Sequence, residues 1–210
     1  MLPRRLPVPP IALALALAAL LAGCGKKPSP ARVTPPAEPP HCLAAVEAAG
    51  ARTVAWQMST SGACGVSSPV VASTARFAMK PPLKTSCLML AAWMSFEPEV
   101  EALALRHLGQ RVQALRHYGS HACRNMTGNG NRRSLHASAR ALDIAGFELA
   151  DGSVVLVKRD WRSRGPKGRF LRAVAKAACQ RFSVVLTPES DRFHHDHIHV
   201  DLGPWKLCST

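Results

Sequence analysis

The sequence predicts an α+β domain, an antiparallel sheet with helices packed on it and three disulfides. Short β-branched runs crowd the second half of the chain, and two of them are joined by the turn signal Asp151-Gly152, as in a hairpin. Two longer stretches carry apolar residues at helical spacing. Cysteines are too far apart for a zinc finger but suit an oxidising compartment, where they act as staples.

At the start of the chain, Arg4 and Arg5 precede the apolar run Ile11 to Leu21, which reads as a secretion signal over residues 1–23, too short for a membrane span. Leu21-Ala22-Gly23-Cys24 resembles the lipobox of bacterial lipoproteins, which implies acylation of Cys24, and Gly25 after it implies sorting to the outer membrane of a Gram-negative cell. Residues 24–40 are the acylated cysteine and a tether: Gly25 to Pro40 hold six prolines and little apolar bulk, so they are expected to stay extended. In polyproline geometry they reach about 50 Å. Residues 41–210 then suit one globular domain with its own core.

Within that domain the spacing predicts a short helix over Cys42 to Ala49 and irregular chain over Arg52 to Val71, followed by a strand over Arg76 to Met79. Thr85 or Ser86 caps a main core helix that is perturbed at Pro98 and ends at Gly109. A strand over Val112 to Tyr118 leads to a glycine and asparagine loop at Thr127 to Asn131. Phe147 to Leu149 and Val154 to Val157 form the hairpin. Phe170, Val174, Ala178 and Phe182 give Lys167 to Phe182 a helical face, and Val184 to Leu186 and Ile198 to Leu202 close the chain as strands. With Cys24 set aside for lipid, the remaining six of seven cysteines are even in number. Sequence order suggests Cys42 with Cys64, Cys87 with Cys123 and Cys179 with Cys208, the second pair tying the core helix to the segment that bears Arg124.

The most informative stretch is FHHDHIHVD, Phe193 to Asp201, which puts four of nine histidines into six positions. If Ile198 and Val200 face the core, alternation sends His197, His199 and Asp201 to the other face. Neutral imidazole is a common zinc ligand, and a zinc site needs at least three ligands from separate segments. His136 and Asp143, seven residues apart and leading into the strand-like Ile144 to Phe147, supply the partners. A His, Asp, His set leaves a fourth position open, as catalytic zinc requires. His195 has no evident partner and no assigned role.

Ser134, His136 and Asp143 in the form Ser-x-His-x6-Asp, followed by His197-x-His199, resemble the zinc peptidase superfamily of lysostaphin-type and D-Ala-D-Ala peptidases and the hedgehog signalling domain. CGVSSPV, HYGSHACRN, the Asp160-Trp161 pair and HHDHIHVD together look more closely like the bacterial extensin-like C-terminal domain family, over nearly the whole of Cys42 to Cys208. The resemblance implies zinc held by His136, Asp143 and His199, with His197 as catalytic partner and Asp196 either orienting it or acting as base itself. His194, His197 and His199 match the His-x2-His-x-His spacing of penicillin-insensitive murein endopeptidases, which implies peptidoglycan peptides as substrate. Arg124 is a candidate for a substrate carboxylate through its planar fork, as is Ser134 for the substrate; Tyr118 and Ser120 are weaker suggestions. Leu135, where the pattern carries an acid, and Arg140, where a small or amide residue is usual, depart from it.

A formal charge of +14 suits an anionic partner. Export argues for wall polymer or lipid surface over nucleic acid. The expected function is that of a periplasmic, lipid-anchored zinc peptidase of murein peptides; the alternative is a non-catalytic, zinc-containing wall-binding or scaffold lipoprotein.

Overall fold

The computed structural model describes residues 30–210. The secretion signal, Cys24 and the first residues of the proline-rich stretch lie outside the described residues. No helix among the described residues is long and apolar enough to cross a membrane.

The described chain starts with a short strand, β1 (Ala31–Arg32), and a helix, α1 (Cys42–Ala48). Strands β2 (Arg52–Ala55), β3 (Pro69–Ser73), β4 (Ala78–Lys80) and β5 (Leu83–Ser86) follow. The main helix is α2 (Cys87–Leu108). Next come β6 (Val112–Gly119), the small hairpin β7 (Asn125–Met126) and β8 (Asn129–Arg133), a 3-10 turn over Leu135–Ser138, and the long strand β9 (Ala141–Leu149). β10 (Val154–Leu156), α3 (Val157–Asp160), α4 (Pro166–Arg181) and β11 (Val184–Leu186) lead to a 3-10 turn at Arg192–His194 and the strands β12 (Ile198–Asp201) and β13 (Trp205–Cys208).

Helix α2 forms where the sequence predicts it. Ser86 accepts the N–H of Met89 on its side chain, and Gly109 ends the helix in a left-handed conformation (φ 66°) that glycine adopts without steric cost. Pro98 stays inside the helix without ending it. Helix α4 starts on Pro166 at its first turn, where the missing N–H is harmless.

The main sheet has the order β1-β13-β11-β12-β9-β6-β4, with β10 also paired to β9. Its pairs are antiparallel except β4 with β6 and β11 with β13. One face carries the core: Leu142 and Ile144 of β9, Ile198 and Val200 of β12 and Val185 of β11 pack with Trp93 and Phe96 of α2 and Phe170 and Val174 of α4, all fully buried. At about 1.5–3 kcal/mol for each large apolar side chain, this burial is the main force fixing the strand directions. The period of two then turns Asp143, His199 and Asp201 to the opposite face. Gly146 lets β10 approach, since a Cβ there would lie 2.1 Å from the carbonyl oxygen of Val155.

Several elements differ from the sequence reading. Arg52 to Val71 is not wholly irregular: its ends form β2 and β3, which join β5 in a second sheet over α1. The loop at Thr127 to Asn131 is the turn and second strand of a hairpin. The proline-rich stretch does not run free over its described part. Ala31 and Arg32 pair with Lys206 and Trp205, the N–H of Val33 donates to Pro204 O at 2.8 Å, and Arg140 donates to Pro36 O at 2.9 Å.

The structure pairs the cysteines as Cys42–Cys87, Cys64–Cys123 and Cys179–Cys208. The third matches the expectation; the first two are exchanged. The reason is packing. Helix α1 buries Cys42 and Val46 beside Cys87 and Leu90 of α2, so Cys42 finds the start of that helix, while Cys64 is left for Cys123 on the segment after β6.

Candidate metal centre

Asp143 is carried on β9 and His199 on β12, directly across the ladder as Cα partners. His136 comes from the 3-10 turn, which is fastened from three sides. Ser134 accepts the N–H of His136 at 3.3 Å and caps the turn; Ser86, at the start of α2, donates its hydroxyl to Ala139 O at 2.8 Å; and the His136 ring donates from Nδ1 to Ser120 O at 3.1 Å. The rigid helix thus holds the third side chain in place.

The three donor atoms form a small triangle. His136 Nε2 lies 3.2 Å from both Asp143 Oδ1 and His199 Nδ1, and those two are 2.9 Å apart. Tetrahedral zinc with ligands at about 2.0–2.2 Å would separate its donors by about 3.4 Å, so closure on an ion requires shifts of a few tenths of an ångström. The outer nitrogens fix the tautomers. His136 gives its Nδ1–H to a carbonyl, leaving a lone pair on Nε2, and His199 directs Nε2 to Asp201 Oδ2 at 3.3 Å, leaving Nδ1 for the site. Asp201 is in turn held by the N–H of Gly203 at 2.9 Å.

Lone pairs so close together demand positive charge between them, either a proton or a cation. Burial works against a charged His199, but hydrogen bonds to Asp143 and Asp201 outweigh it and bring its pKa up to about 9. Burial raises the Asp143 carboxyl as well, yet the hydrogen bonds from His136 and His199 hold it well below the usual carboxylate range. The His136, Asp143 and His199 group could therefore hold a metal ion.

His197 stands beside this triangle. Its Nε2 is 3.4 Å from Asp143 Oδ1, and its Nδ1 meets Asp196 Oδ1 at 2.9 Å. It precedes β12 on a bend, which allows Asp196 to turn back to it instead of pointing away as strict alternation would require. His194 stacks near both, with its ring 5.2 Å from that of His197 and 5.7 Å from that of His199, and its Nδ1 is anchored on Asp191 at 2.8 Å. His195 turns outward, exposed, with Nδ1 on Arg192 O at 3.0 Å.

The group lies at the floor of a cleft of about 230 Å³. Arg124, Ser134 and Leu135 line it, as do Arg132 and Trp205, to which sequence reasoning assigned no role. Arg124 is exposed and uses Nη1 on Thr127 Oγ1 at 3.1 Å. Tyr118 sits at the edge, its ring 5.9 Å from that of His197, whereas Ser120 is buried and contributes its carbonyl to His136. A larger cavity of about 580 Å³ beside α1 and α2 is lined mostly by apolar residues and lies away from these histidines. Asp201 and Asp191 were missed as supports, although alternation already placed Asp201 on the correct face.

Residues 40–209 match the family described as Extensin-like protein C-terminus. No curated protein and no solved structure matches the chain.

Proposed function

The chain belongs to the extensin-like protein C-terminus family, and from that premise we propose that it is a zinc-dependent peptidase acting on the peptides of peptidoglycan. One observation carries the reading: the donor atoms of His136, Asp143 and His199, none more than 3.2 Å from the next, converge at the floor of a cleft beside His197, a third imidazole that stays outside the triangle. Two imidazoles and one carboxylate suit zinc, and a zinc ion held there supplies Lewis acidity to a substrate carbonyl and makes water a better nucleophile.

The chain's own residues supply the rest. Asp196 accepts the Nδ1–H of His197 at 2.9 Å, which leaves Nε2 as the basic nitrogen facing the site. His197 takes a proton from the attacking water at that nitrogen and returns it to the leaving amine, so no net proton is consumed in the step. His194, fixed by Asp191, walls the same side, and Arg124 stands on the cleft rim to receive a carboxylate of the substrate. The resemblance to the lysostaphin and D-Ala-D-Ala peptidase superfamily belongs to this proposal, as do a lipid on Cys24 and a periplasmic location at the outer membrane.

Release of soluble peptides from purified sacculi is the test. The zinc-loaded protein is expected to release them, and His136→Ala and chelator-treated protein are not. Identical release from all three, or from none, would overturn the reading. A second reading, wall binding without turnover, is favoured by Leu135, which lines the cleft where the family pattern carries an acid. Retention on sacculi without released peptide would select it.

A further inference from the structure

The floor and the rim of the cleft have opposite chemistry. The floor gathers acceptors, whereas the rim gathers guanidinium groups that have no carboxylate partner among the described residues. Arg132, on β8, brings its guanidinium carbon to 5.3 Å from the centre of the Trp205 ring, and Arg32 brings its own to 5.6 Å from the same ring. The backbone dictates the second contact, because Arg32 is the Cα partner of Trp205 in the β1–β13 ladder and their side chains stand together. Among the described residues, no carboxylate lies within ion-pair distance of Arg32, Arg132 or Arg124. The indole Nε1–H of Trp205 is buried with no acceptor either.

An indole attracts a guanidinium through its face, but two guanidinium groups gathered on one ring repel each other, and among the described residues no carboxylate is close enough to pair with either. A guanidinium laid on a ring also keeps its N–H fork free in its own plane, the geometry that takes a carboxylate by two parallel bonds. We propose that Arg132, with Arg32 beside it on Trp205, is an anion-recognising subsite of the cleft that binds a free carboxylate of the substrate peptide away from the bond being cut. The substrate class rests on the peptidase reading above. Because Arg32 lies outside residues 40–209, the segment before the family domain is a working part of this subsite.

The test uses the full chain carrying His197→Ala, so that a peptide is bound and not cleaved. Isothermal titration compares a murein tetrapeptide with free carboxylates against the same peptide with those carboxylates amidated. Amidation is expected to weaken binding roughly tenfold or more, and to lose most of that effect when Arg132→Gln is added. Arg32→Gln should reduce the effect as well, with zinc stoichiometry unchanged in both variants as the check on folding. An amidation effect of equal size with and without Arg132→Gln would overturn the proposal, as would no amidation effect at all. Displacement of the peptide by inorganic phosphate at equal concentration would overturn the carboxylate assignment in favour of a phosphate group. Peptide release from sacculi by the parent chain is read separately: coupling without release leaves the subsite standing and removes the peptidase reading, and release without coupling does the reverse.

Discussion

His199 and Asp143 face each other across two antiparallel strands, with Nδ1 and Oδ1 2.9 Å apart, so two ligand atoms of the candidate centre are set by sheet register and not by loops. Removing one of them leaves the core face of β9 intact, since Leu142 and Ile144 supply that packing. Asp143→Ala is therefore expected to stay folded and to lose metal affinity by more than about 100-fold, beyond the 10–100-fold cost of losing an outer partner. Competition with a chromogenic chelator measures it.

Asp201 touches the site only through His199, at 3.3 Å from Nε2. Asp201→Asn keeps the shape and removes the charge that fixes the ring. The expected outcome is roughly 10–100-fold weaker metal binding at unchanged stoichiometry. Unaltered affinity would mean that Gly203, not His199, is the partner that matters to Asp201.

Metal binding should depend on pH with a definite sign. With His199 brought up to about 9 by Asp143 and Asp201, the metal-free ring carries a proton at pH 7 that an ion must displace. Apparent affinity is expected to rise by about tenfold per pH unit below that value, with about one proton released per ion. Titration in two buffers of different ionisation enthalpy counts the proton.

Much of this arrangement was legible in the sequence, and the exceptions share a cause. Helices α2 and α4 and strands β9 and β12 announce themselves through periodicity, caps and the alternation of Ile198 and Val200 with His199 and Asp201. Alternation with the His136 and Asp143 spacing offers both His197 and His199 as partners, and the family resemblance is what selects His199 for the candidate triad. What stayed hidden depends on partners distant in sequence. Cys42 pairs with Cys87 because α1 docks on α2, and Ala31 and Arg32 become a strand only because β13 offers an edge. Arg140, which departs from the family pattern, lies beside the site's support and donates to Leu202 O at 3.1 Å as well as to Pro36 O.

Far from the candidate centre, Glu97 is buried and accepts from Thr74 at 2.6 Å and Trp93 at 2.7 Å. Burial outweighs those hydrogen bonds and the charge of Arg76, and pushes its pKa up to about 7 from the ordinary 4.5. Between those values the folded chain keeps a proton that the unfolded chain releases, so the contribution to stability is full below pH 4.5 and declines as pH rises to about 7. The total is up to about 3 kcal/mol. Glu97→Gln should remove this slope, so denaturant unfolding is expected to show the variant gaining on the parent from pH 5 to pH 8. Parallel pH profiles would contradict it.

The central claim is a three-ligand centre with an open side next to His197, and anomalous diffraction at the zinc absorption edge from zinc-loaded crystals tests it most directly. The account predicts one peak at about 2.0–2.2 Å from His136 Nε2, Asp143 Oδ1 and His199 Nδ1, with His197 Nε2 beyond bonding distance. A peak bonded also to His197, closing a four-ligand structural site, or no peak at these residues, would contradict it.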